Sequence, residues 1–222
     1  MIDITDYSLW QQILHYYEVN GSYVMSQFFR HLLMSVYGVV FAAIVAIPLG
    51  FYIARNHKIA DWVLGIANVI QTIPSLALLS ILMLGIGLGP NLVVVTIFIY
   101  SLLPILRNTY TGVRSVDDHI LDVGKGMGMT NWQIIRKIEF PLALSVIVGG
   151  IRNAYISGIG VAALGTFVGA AGLGDVITRG VNASSGESII IAGVIPISLM
   201  AILGDALISW AEKKLDPIKT AK

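Results

Sequence analysis

"DVGKGMGMTNWQIIRKIEFP", residues 122–141, is a charged stretch punctuated by glycine in a chain that elsewhere runs mostly in Leu, Ile, Val, Ala and Gly. Hydrocarbon offers no partner to irregular polar backbone, so this stretch belongs outside the membrane core. The side on which it lies orients everything around it.

The surroundings are membrane-like. Hydrophobic residues make up 56% of the 222 and charged residues 12%, against roughly 25% charged in an ordinary soluble domain. The mean hydropathy is +0.80. Thirteen acids and fourteen bases cannot coat a soluble surface of this size, so most of the outside faces lipid. A formal net charge of +1 excludes a nucleic-acid footprint, which needs a basic face. Cysteine is absent, which removes disulfides, thiolate nucleophiles and Cys-ligated metals. His15, His31, His57 and His119 are scattered, and neither a metal centre nor a cofactor is expected.

A span needs about 20 predominantly apolar residues, and the chain offers them near 32–54, 59–85, 92–106, 142–168 and 189–210. Cytoplasmic loops retain Lys and Arg. Arg55 and Lys58 follow the first span, Arg107, Arg114, Lys125, Arg136 and Lys137 the third, and Lys213, Lys214, Lys219 and Lys222 the fifth, whereas the opposite side keeps only Arg30 and Arg179. The expectation is an all-α, polytopic membrane bundle of about five transmembrane helices. Its N-terminus lies outside, its C-terminus inside, and residues 107–141 form a cytoplasmic loop. Residues 25–217 form the membrane domain and 218–222 a cytoplasmic tail. In residues 1–24, Leu9, Trp10, Ile13, Leu14 and Tyr17 recur at helical spacing, which suits either a helix in the headgroup layer or the opening turns of a long membrane helix. No signal peptide is read there.

Some thirty-five residues are more than a turn between two helices requires. The loop reads as two short helices. "DDHILDVGKGMG" starts with acids, where a helix N-terminus favours them; "TNWQIIRKIEF" has Thr130 or Asn131 as its cap and Pro141 as its stop. Gly126 and Gly128 allow the turn between them. Trp132, Ile135, Ile138 and Phe140 then supply apolar knobs beside Arg136 and Lys137, a composition suited to docking on a soluble partner.

The order Asp122-Val123-Gly124, three residues, Gly128, nine residues, Ile138, one residue, Phe140-Pro141 resembles the EAA signature of permease subunits of ATP-binding-cassette importers. That signature runs Glu-Ala-Ala, three residues, Gly, nine residues, Ile, one residue, Leu-Pro. Asp stands here for Glu, Val-Gly for Ala-Ala and Phe for Leu. "QTIPSLALL" (71–79), "RNTYTGV" (107–113), "GKGMGMT" (124–130) and "GTFVGAAGLGD" (165–175) resemble more specifically the osmoprotectant branch, the permeases for glycine betaine, carnitine and choline. The resemblance covers roughly residues 22–217. It implies the type I importer permease fold in the cell membrane, with 107–141 as a coupling loop seated in a cleft of an ATPase. It also implies two cytoplasmic ABC ATPase subunits, a second permease, identical or homologous, and an extracytoplasmic solute-binding protein. Asp122, Gly124, Gly128, Trp132, Ile135, Ile138, Phe140 and Pro141 become the ATPase-coupling residues. An importer of another small solute, such as an amino acid, would carry the same signature.

Inside the spans, polar groups should face protein, water or one another. Asn68, Gln71, Thr72 and Ser75 fall on one helical face beside Pro74. With Tyr100, Asn153 and Ser157 they either line a solute passage or bond neighbouring helices. Gly150, Ala154, Gly158 and Ala162 form a small-residue stripe that lets helices approach. Arg152 and Asp205 are lone charges expected to pair. Tyr37, Phe41, Tyr100 and Tyr155 could meet a quaternary ammonium by cation–π attraction or simply pack. "GTFVGAAGLGDVITRG" has too many glycines for an uninterrupted span and is expected to fold at the outer surface. Its G-x-G pairs follow no strand, and no P-loop motif occurs, so ATP is expected to be hydrolysed elsewhere. A secondary transporter would not need the docking loop. An intramembrane enzyme would need a nucleophile and base, and Asp205 alone supplies neither pairing.

Overall fold

The computed structural model describes residues 8–215; the tail 218–222 lies outside them. All regular structure among the described residues is helical: α1 Leu9–Ile53, α2 His57–Thr72, α3 Ser75–Ile86, α4 Pro90–Arg114, α5 Asp118–Gly126, α6 Asn131–Ile134, α7 Phe140–Leu164, α8 Leu173–Val181 and α9 Glu187–Leu215. A π-helical turn, Ile135–Glu139, joins α6 to α7, and a 3-10 turn, Gly165–Val168, follows α7.

Among the described residues α1, α4 and α9 are each long and apolar enough to cross a membrane, and counting each of two bent helix pairs as one span gives up to five. From residue 9 onward the N-terminal segment is continuous with the first apolar stretch: α1 is one helix of 45 residues, about 68 Å at 1.5 Å per residue, longer than a bilayer core of about 30 Å requires.

The second span departs from the expected single rod. α2 and α3 meet at 99°. Pro74 has no N–H to donate and biases its predecessor away from helix; Ile73 is accordingly extended at φ −67°, ψ 126°. Ser75 therefore opens a new helix and leaves the stripe of Asn68, Gln71 and Thr72.

Pro141 does not stop a helix. α6, the π-helical turn and α7 run on from one another, with Phe140 N–H reaching back to the Ile135 carbonyl. Widening the turn to an i→i−5 pattern is how a helix absorbs a local misfit without ending, and the wide turn immediately precedes Pro141, whose ring and missing N–H a regular helix interior accommodates poorly.

The chain forms two compact units, residues 1–38, 74–97 and 158–203, and residues 39–73, 98–157 and 204–222. In the first, Leu79, Leu92, Val93, Ile97, Leu173 and Val176 are fully buried. α8, nine residues long, buries Leu173, Gly174, Val176 and Gly180 on one side. It is held where Gly172 N–H donates to Gln27 Oε1 at 2.7 Å and Gly172 takes φ +92°. The glycine-rich run thus interrupts the helix, as expected, and leads into α8 at a 60° bend. In the second unit, Phe51, Ala54, Val113, Ala143 and Ile147 form a core against which Ile47, Tyr110, Ile135 and Ile151 pack.

Candidate functional site

The loop of residues 115–139 is built from local rules. Asp117 caps α5, its Oδ1 accepting from His119 N–H at 2.9 Å, and Asp118 sits in the first turn with Lys125 in the last, as the helix dipole favours. Gly128 carries the turn at φ +78° while its N–H bonds the Lys125 carbonyl at 2.9 Å. Gly126 is still helical. Thr130 is the cap of α6 and forms a reciprocal capping box with Gln133, satisfying two donors at once.

Several motif residues face inward. A Cβ on Gly124 would lie 2.8 Å from Ile138 Cδ1, so Gly124 and Ile138 lock α5 onto the π-helical turn. Ile135 packs on the core of the second unit and is not an exposed knob. Glu139, which no sequence signal marked, has a side chain only 7% exposed and meets Arg55 Nη2 at 2.5 Å. Arg55 also donates from Nη1 to the Phe51 carbonyl at 2.7 Å, and the Phe51 and Phe140 rings stack at 6.2 Å. The end of α1 is therefore bound to the start of α7 by an ion pair beside an aromatic pair.

What the loop leaves in the open is Ile120, Val123 and Met127, at i, i+3 and i+7, together with Trp132. Of these the sequence singled out only Trp132; the helical spacing of the other three was the available signal. Asp122 is exposed and pairs with Lys125 at 2.9 Å. Phe140 is exposed over part of its ring.

The candidate passage residues divide. Asn68 Oδ1 accepts from Arg107 Nη2 at 2.9 Å, Gln71 Nε2 donates to the Tyr100 carbonyl at 3.2 Å, and Tyr100 Oη donates to the Ile73 carbonyl. These three stitch α2 to α4. Thr72 Oγ1 donates within α2 to the Val69 carbonyl at 2.7 Å. Asn153 and Ser157 are exposed on α7, one turn apart. Tyr155 is buried against Gly204, where a Cβ would meet its ring at 2.2 Å. In the small-residue stripe, a Cβ on Gly150 would lie 2.8 Å from the Pro104 carbonyl oxygen, so α7 and α4 touch there through backbone.

Arg152 and Asp205 do pair. Nε reaches Oδ1 at 2.6 Å and Nη2 reaches Oδ2 at 2.7 Å, a bidentate bond between α7 and α9. They share the wall of an open cavity with Asn108, Gly149, Asn153 and Ile156. No group of His, Asp and Glu fit to hold a metal occurs among the described residues.

With this geometry in hand, likeness to known proteins can be weighed. The chain is 62% identical over 212 residues to the carnitine transport permease protein of Listeria monocytogenes, covering 96% of this chain and 95% of that one. It is 57% identical to the glycine betaine/carnitine/choline transport system permease protein of Bacillus subtilis, covering 96% and 93%. It is 54% identical to the choline transport system permease protein of the same organism, covering 94% and 92%. Among solved structures, an inward-facing methionine ABC transporter matches with TM-score 0.70 at 24% identity over 84% of this chain and 94% of that one, which bears on the fold alone. The sequence model for the binding-protein-dependent transport system inner membrane component matches residues 46–217. A polytopic helical chain with this loop, these relatives and that match belongs to the family of inner membrane components of binding-protein-dependent transport systems.

Proposed function

We propose that this chain is the permease subunit of an ATP-driven importer for quaternary-ammonium osmoprotectants, the class that the relatives' names give as carnitine, glycine betaine and choline. In this reading its N-terminus lies outside and its C-terminus inside. It works beside a second permease, two cytoplasmic ABC ATPases and an extracytoplasmic solute-binding protein. The ATPase grips the loop through Ile120, Val123, Met127 and Trp132, with Asp122 and Phe140 at the rim. Gly124, Gly128, Ile135, Ile138 and Pro141 act from behind, holding those side chains in place. The observation that carries the reading is the contrast within the loop: four large apolar side chains in the open on a backbone whose turns, caps and inner face are all bonded. A tether resting on lipid would not need that rigidity.

Because α6 continues into α7, a push on the loop moves a membrane helix rather than a hinge. To shift two packings from 1:99 to 99:1 the nucleotide state must favour one by about 5.5 kcal/mol, and a stiff loop is what passes such a preference on. Asn68, Gln71 and Tyr100 serve this as helix stitches, while Thr72 bonds within α2; Asn153 and Ser157 remain the passage residues.

The test is a complex purified in mild detergent and reconstituted with its binding protein. Trp132→Asp with Met127→Asp is expected to lose the co-purifying ATPase. Gly128→Pro is expected to retain it but uncouple hydrolysis from uptake, because proline cannot adopt φ +78° and removes the N–H bonded to Lys125. Solute-stimulated hydrolysis at the wild-type rate in both variants defeats the coupling role. Absence of uptake of all three solutes by the intact complex defeats the solute class.

A further inference from the structure

The Arg152–Asp205 pair is well made yet not closed off. Its side chains remain 35% and 30% exposed, and both charges reach a cavity of about 210 Å³. Drug-sized ligands occupy roughly 300–1,000 Å³, so this space suits something smaller. Its other walls are an amide on each of two helices, Asn108 and Asn153, with Ile156 and Gly149. A Cβ on Gly149 would meet nothing within 4 Å, so the glycine is not demanded by packing and the space in front of it is open. As a clamp between α7 and α9 a pair this accessible gains little, because solvated ion pairs contribute little stability, while both charges stay within reach of a solute in the cavity.

We propose that this cavity is a transient site for a small zwitterion, with Arg152 receiving its carboxylate and Asp205 facing its quaternary ammonium. The proposal rests on the solute class argued above. A molecule carrying both charges exchanges with the protein's own pair one for one. The net charge of the cavity lining stays zero before, during and after binding, so neither Arg152 nor Asp205 is left without an opposite charge at any step. The carboxylate can accept from the planar guanidinium fork in the same bidentate manner that Asp205 does. The trimethylammonium group has no N–H, so Asp205 gains attraction without hydrogen bonds. Binding is therefore weak, because the solute displaces a complete pair and restores only one half of it fully. A passage site must release what it holds. A cation without a carboxylate, such as choline, leaves Arg152 uncompensated and binds more weakly still.

The chain contains no cysteine, so Ile156→Cys places a single thiol in this chain at the cavity wall. The assembled complex, with its ATPases and binding protein, is labelled with a water-soluble maleimide, and modification of this chain is read by mass. Glycine betaine is expected to slow labelling, by about tenfold once its concentration is about nine times the dissociation constant, with choline giving less protection at the same concentration. Adding Arg152→Gln and Asp205→Asn, which keep amide hydrogen bonding while removing both charges, is expected to abolish protection and glycine betaine uptake but not assembly with the ATPase. Protection that survives the neutral pair overturns the site. So does undiminished uptake by the neutral pair, or full recovery of uptake by Arg152→Asp with Asp205→Arg, since each is the result for a clamp alone. An Ile156→Cys complex that imports glycine betaine without any protection overturns the site but leaves the importer reading standing; one that shows no protection, where the wild-type complex imports none of the solutes either, removes both.

Discussion

Arg55→Ala is expected to loosen the loop of residues 115–139 and lower the stability of the assembled complex by about 2–3 kcal/mol, below the roughly 3–5 kcal/mol seen when one partner of a fully buried pair is removed. Glu139 is the reason. Its side chain is almost wholly buried, and without the guanidinium its carboxylate has no other cation at hydrogen-bond distance among the described residues. Arg55 itself is 42% exposed, so water and ions reach the pair and moderate the loss. Glu139→Gln in the same background should recover most of the stability, because it removes the charge that Arg55 no longer balances. Thermal unfolding of the purified complex followed by intrinsic fluorescence makes the comparison. A midpoint for Arg55→Ala equal to wild type would mean that the buried carboxylate is neutral or otherwise compensated. Since the pair joins the end of α1 to the start of α7, the number of ATP molecules hydrolysed per solute imported should rise in Arg55→Ala and fall back in the double variant.

A larger loss is expected from a single methyl group at Gly174. A Cβ there would lie 1.9 Å from the Ala163 carbonyl oxygen and 2.8 Å from its carbonyl carbon. Overpacking typically costs about 1–3 kcal/mol when side chains can shift; here the obstacle is backbone of α7, so Gly174→Ala should exceed that range. α8 would be pushed off α7, and Gly172, whose N–H is bound by Gln27, would be dragged with it. Gly186 is its counterpart, with a Cβ 1.8 Å from the Gly180 carbonyl oxygen. Gly21→Ala is the control. It lies within α1 with nothing within 4 Å of its Cβ position, and replacing a mid-helix glycine by alanine gains up to about 1 kcal/mol. Surviving protein in a heat-challenge assay should rank Gly21→Ala at or above wild type and Gly174→Ala far below it. Equal survival of the two would show that α8 can move away from α7 freely.

Much of this was legible in the chain because it depends on local chemistry. Thr130 is a cap because its hydroxyl and Gln133 lie three residues apart. Gly128 is a turn because few other residues accept a left-handed backbone. Arg152 and Asp205 pair because a charge among apolar residues has few alternatives. The misreadings arose where an irregular helical turn or a neighbour distant in sequence decides. Pro141 looks like a stop, but the wide turn of residues 135–139 carries the helix past it. Ile135 looks like a docking knob until the core of Phe51 and Val113 claims it. Arg55 reads only as a marker of sidedness, since nothing short of the fold brings it to Glu139, 84 positions away. Gly174 and Gly186 are indistinguishable by sequence from Gly160, which has room to spare.

The corner at Pro74 has one more implication. A chain that breaks its helix where the solvent is oil strands a carbonyl without a donor, and at Ile73 the donor is the phenol O–H of Tyr100. Phenylalanine would fill the same volume and silence that oxygen, leaving the bare carbonyl to draw water into the bilayer or to straighten the corner. What the corner needs from position 100 is therefore one hydroxyl rather than a ring.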